Sequence, residues 1–96
     1  MSLDEIKKVL KEHKSRLEHK YHVGNLGIFG SYVRDEQADN SDIDILVDFT
    51  APIGLFEFID LEEELSGLLC TRVDLVSRSA LKPHIGKRIL NEVQFV

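Results

Sequence analysis

Cysteine is nearly missing from this chain of 96 residues, where Cys70 stands alone. One thiol forms neither an intrachain disulfide nor a thiolate zinc cluster, and both exclusions fit a reducing compartment. Tryptophan is absent, proline occurs twice, and no apolar run approaches the roughly 18 residues that read as membrane-spanning. Cationic side chains are also short: 12 lysines and arginines face 17 aspartates and glutamates, a formal net charge of −5. That balance argues against broad binding to nucleic acid, which depends on cations displacing counterions from phosphates. Asp4, Glu5, Lys7 and Lys8 interrupt any apolar core of a signal peptide. The expectation is one soluble, cytoplasmic domain over residues 1–96, with no membrane segment and no direct nucleic-acid partner. Such a length supports one core but not a catalytic domain plus a separate recognition domain.

Periodicity supplies the elements. Ile6, Val9, Leu10 and Leu17 recur at helical spacing between Leu3 and about Tyr21, and Gly24-Asn25 reads as a turn into a short strand, Leu26 to Phe29. A short helix is expected from Ser31 to about Glu36, a turn at Asp39-Asn40-Ser41, and a strand running to about Phe49. After a loop at residues 51–54, Leu55 to Leu69 carries a helical stripe, and Thr71 to Val76 reads as a third strand. Ser79 to Pro83 opens a last helix with Ile85, Ile89, Leu90 and Val93 on its apolar side. The fold class is therefore α/β (α+β), a small mixed sheet with helices mainly on one side. Cys70, just before a strand, is expected to be a small buried hydrophobe. His13, His19 and His22 lack the i, i+4 pairing that puts two ligands on one helical face.

The chemistry concentrates in Ser41-Asp42-Ile43-Asp44-Ile45-Leu46-Val47. Strand alternation sends Asp42 and Asp44 to one face and Ile43, Ile45 and Val47 to the other. Two like charges so placed repel unless something positive lies between them, and a divalent metal is the simplest candidate. Magnesium suits them, because it is commonly held by one or two carboxylates plus waters and substrate phosphates. A calcium loop of the EF-hand type fails on spacing: counted from Asp39, Asp44 falls where glycine is required and Thr50 where a bidentate glutamate is required. Asp48 shares the parity but lies toward the far end, so it is taken as an edge or solvated residue rather than a ligand. Upstream, Gly30 is a tight turn and Ser31 a helix start whose free N–H groups face a phosphate. Strand, glycine, helix start and metal carboxylates together describe a nucleotide site. Arg34 follows one turn later and either adds charge to the nucleotide or caps the acidic site. Arg78, Lys82, His84, Lys87 and Arg88 concentrate positive charge near the C-terminus, as a solvated face or as a surface for triphosphate or a charged partner.

Gly30-Ser31, then Asp42-Ile43-Asp44, then Asp74 within Arg72-Val73-Asp74-Leu75-Val76 resembles the nucleotidyltransferase superfamily related to DNA polymerase beta. The small size, Arg34 and the run from Ser41 to Val47 are similar to the minimal nucleotidyltransferases, or MNT antitoxins, that often accompany a HEPN-domain toxin. The resemblance runs from about Leu3 to Val96. It implies the nucleotidyltransferase fold, ATP as substrate, two Mg2+ ions in the nucleotide complex, and Asp42, Asp44 and Asp74 as catalytic metal ligands. Gly30, Ser31 and Arg34 become the nucleotide-binding residues. The implied activity is transfer of AMP to a tyrosine hydroxyl of a cognate HEPN toxin. Two other readings are an antitoxin of the same fold acting by contact alone and a small-molecule adenylyltransferase of the antibiotic type. Retention of all three carboxylates weighs against the first, and the lack of a second domain weighs against the other.

Overall fold

The computed structural model describes all 96 residues, Met1–Val96. Helix α1 spans Leu3–Tyr21 and begins in a capping box: Ser2 Oγ accepts from Glu5 N at 3.2 Å, and Glu5 Oε1 accepts from Ser2 N at 3.3 Å. It ends where His22 takes a left-handed conformation. Strand β1 follows at once as Val23–Phe29. The expected turn at Gly24-Asn25 is therefore wrong. His22 makes the turn, and Gly24 and Asn25 lie inside the strand at an irregularity in its pairing with β2.

Strand β2 is Ile43–Phe49, helix α2 is Leu55–Leu69, and strand β3 is Val73–Ser77. A 3-10 turn at Arg78–Ala80 precedes helix α3, Pro83–Glu92, and a two-residue strand β4, Gln94–Phe95, closes the chain. The last helix thus begins at Pro83 rather than in the Ser79 segment, because proline fits the first helical position, where no N–H is needed. The third strand starts two residues later than expected, and periodicity over so few residues gave no sign of β4. The sheet order is β3-β2-β1-β4, with β2 and β3 parallel and the other pairs antiparallel. It is the mixed sheet that the sequence implied.

One sheet face carries the core. Ile43, Ile45 and Val47 of β2 and Ile28 of β1 pack with Ile6, Leu10 and Leu17 of α1 and Leu61, Leu65 and Leu69 of α2, all fully buried. Burying such side chains contributes about 1.5–3 kcal/mol each. Arg16 and Lys20 of α1 pair with Glu64 of α2 at 3.1 and 3.2 Å, aligning the two helices. Strand β3 is an edge, and α2 covers its exposed donors. Val73 N donates to Ser66 Oγ at 3.0 Å and Leu75 N to Glu62 Oε2 at 2.8 Å. Residues 73 and 75 are thereby tied to α2, while Asp74 between them lies on the opposite parity. Cys70 precedes a strand as expected but is exposed rather than buried: it is the left-handed cap of α2, at φ 51°. No helix is long and apolar enough to cross a membrane.

Candidate active site

Asp42, Asp44, Asp74, Gly30 and Ser31 gather at one end of the sheet, on or beside the face that α1 and α2 leave open. Antiparallel pairing sets Phe29, the last residue of β1, opposite Asp44, so the chain leaves β1 beside that carboxylate. Parallel pairing sets Asp74 beside Asp44. Asp42 stands just before β2, exposed, with Arg72 Nε at 3.9 Å. Gly30 adopts φ +81°, and a Cβ there would overlap the Asp44 carboxylate. The position therefore demands glycine twice over, by backbone conformation and by space.

The short helix expected from Ser31 to Glu36 is only a 3-10 turn at Gly30–Tyr32. Val33 N and Arg34 N both donate to Gly30 O, at 3.0 and 3.2 Å, and Asp35 then takes a left-handed φ of 56°, which stops helical propagation. Arg34 forms no ion pair or hydrogen bond with the three aspartates. Its Nη1 donates to both oxygens of Glu92 at 3.0 Å, and its Nε to Glu36 at 3.4 Å. Glu92 Oε2 also accepts from Gly30 N at 2.5 Å. Glu92, at the end of α3, is the site residue that sequence reasoning missed, because the contact joins residues 62 positions apart.

A cavity of about 200 Å³ is lined by Gly30, Arg34, Asp44, Arg88 and Glu92. Of the C-terminal basic cluster, only Arg88 lines it; Arg78 pairs with the partly exposed Asp48 at 3.7 Å, at the other end of β2, which is an interior strand of the sheet and not an edge. The larger cavity, about 640 Å³, opens at the other end of β2 between Phe49, Pro52, Leu55 and Phe58. None of the six expected site residues lines it. Partial burial, then repulsion from Asp74, Asp42 and Glu92, pushes the Asp44 carboxyl up to about 6 from its ordinary 3.8, with Arg34 opposing.

No three acidic, histidine or cysteine side chains are gathered closely enough to hold a metal by themselves. The donor chemistry nevertheless fits magnesium: the groups are hard carboxylate oxygens, and Asp44 carries a repulsion that a divalent cation would relieve. The ion's remaining ligands would come from phosphate and water.

A left-handed glycine thus stands against Asp44, with Asp74 beside it on the neighbouring strand and Asp42 two residues upstream. The nucleotidyltransferase domain family matches residues 6–96, and the chain belongs to that family. Within it, the chain is of the minimal kind. It is 49% identical over 96 residues to the protein adenylyltransferase MntA of Thermococcus cleftensis, covering 100% of this chain and 97% of that protein. A solved structure of a protein proposed to be a minimal nucleotidyltransferase matches with a TM-score of 0.82 at 32% identity, over 98% of this chain and 95% of that one. The fold is also shared by the MNT antitoxin solved in complex with a tri-AMPylated Shewanella oneidensis HEPN toxin. There the TM-score is 0.62 at 21% identity, over 96% of this chain and 66% of the other.

Proposed function

We propose that this nucleotidyltransferase moves AMP from ATP to a tyrosine hydroxyl of a HEPN-domain toxin and acts as its antitoxin. The observation that carries the reading is the strand register that sets Asp44 beside Asp74 and opposite Phe29, the residue before the Gly30-Ser31 turn, with Asp42 two residues upstream. The identity of nearly half the chain to a protein adenylyltransferase supports the same acceptor class. In the reaction, the acceptor oxygen bonds to the α-phosphorus, the bond from that phosphorus to the bridging oxygen breaks, and pyrophosphate leaves. Asp42, Asp44 and Asp74 would hold the magnesium ions, which when bound stabilise the entering and leaving oxygens. Gly30 N–H and Ser31 would hold the β- or γ-phosphate. Asp74, exposed and adjacent to Asp44 across the parallel pair, is suited to take the hydroxyl proton.

Specificity then comes from docking a folded partner that presents its hydroxyl in line, since a single domain has little surface left for a small acceptor. The test combines this chain, labelled ATP, magnesium and the protein encoded beside it. AMP should appear on that neighbour, and Asp42→Asn with Asp44→Asn should abolish the transfer. If the double variant protects cells as well as the native chain does, and neither transfers label, contact alone is the antitoxin mechanism.

A further inference from the structure

Gly30 N–H and Arg34 form the cationic, hydrogen-bond-donating wall of the cleft, and both are already engaged by one carboxylate. Glu92 Oε2 accepts from Gly30 N at 2.5 Å, and both its oxygens accept from Arg34 Nη1 at 3.0 Å. A carboxylate bound by a backbone amide and a guanidinium uses the same donors that recognise a phosphate oxygen. A backbone N–H donates one strong bond, so Gly30 cannot serve Glu92 and a phosphate together. We propose that Glu92 is a displaceable occupant of the triphosphate cradle, an internal anion that the nucleotide must exchange for its own phosphate. The proposal rests on the reading of Gly30, Ser31 and Arg34 as the nucleotide-binding residues.

The element that carries Glu92 is suited to such an exchange. Of the ten residues of α3, only Gly86 is buried, so little packing holds the helix in place. Arg88 lies one turn before Glu92 and lines the same cavity. It therefore stands ready to pair with the released carboxylate or to meet a phosphate itself.

Inorganic tripolyphosphate is the probe, titrated calorimetrically at fixed salt into the native chain, Glu92→Gln and Ser31→Ala. Glutamine keeps the length and an acceptor oxygen but removes the charge, so Glu92→Gln should bind about tenfold more tightly than the native chain. Ser31→Ala should bind more weakly. Equal or weaker binding by Glu92→Gln, with Ser31→Ala still impaired, overturns the displacement while leaving the phosphate site standing. No binding by either the native chain or Glu92→Gln overturns the phosphate site and the displacement with it. A measurement on the native protein needs no variant to fold: saturation with tripolyphosphate should move the Glu92 side-chain carboxyl carbon resonance to that of a freely solvated glutamate and shift the Gly30 amide. An unmoved Glu92 signal alongside a shifted Gly30 amide overturns the proposal.

Discussion

Asp44→Asn should make the metal-free protein more stable while abolishing its activity. In the native chain at pH 8, Asp44 is charged and half-buried, and Asp74, Asp42 and Glu92 all raise its affinity for a proton, against Arg34 alone. Its carboxyl is displaced from 3.8 to about 6, which converts to a ceiling of about 3 kcal/mol against the charged folded form. Water reaches much of the side chain and screens these interactions, so about 1 kcal/mol is the expected gain on substitution. For a domain of this size that is a rise of about 4–8 °C in Tm. The sign with pH follows from proton linkage. Between 3.8 and about 6 the folded chain holds this proton more tightly than the unfolded chain, so its contribution to stability falls as pH rises through that window and is level above it. The advantage of Asp44→Asn should therefore be full at pH 8 and vanish below pH 3.8. Thermal melts of both proteins in a chelator, across that range, measure the difference directly. An Asp44→Asn protein no more stable than the native chain at pH 8, or one whose advantage persists unchanged in acid, would refute the electrostatic reading.

If the proposed role of Ser31 in holding the β- or γ-phosphate is right, Ser31→Ala should raise KM for ATP about tenfold with little change in kcat, because the lost contact is not to the attacked α-phosphorus; steady-state kinetics with saturating acceptor decide this. Glu62→Ala removes the acceptor that covers Leu75 N on the edge strand and should cost about 1–3 kcal/mol in urea denaturation. A smaller loss would mean that water replaces the carboxylate there. Cys70→Gly relieves a left-handed cap at φ 51° and should stabilise the fold by about 0.5–1 kcal/mol, read as an upward shift of the thermal midpoint. Magnesium should bind weakly to the protein without nucleotide, since phosphate oxygens supply part of its coordination; calorimetry showing tight binding to the free protein would contradict this.

Local periodicity was enough to reveal the long elements and the strand that bears the aspartates. Leu55–Leu69 is helical over the range its apolar spacing implied, and Ile43, Ile45 and Val47 are buried opposite Asp42 and Asp44. Such features are legible because helix and strand periods act between near neighbours, and each apolar residue at the right spacing repeats the same signal. Short or capped segments are not legible, for the converse reason. A left-handed residue at His22, Asp35 or Cys70 ends an element at a point where no period is broken. What only the tertiary structure decided are the pairings between distant segments. Register sets Asp74 beside Asp44, α2 side chains cover the donors of β3, and the end of α3 returns Glu92 to Gly30 and Arg34. Those contacts depend on the sheet's strand order and on a helix packed across it, and a one-dimensional pattern carries no record of which remote residue will arrive opposite a given donor.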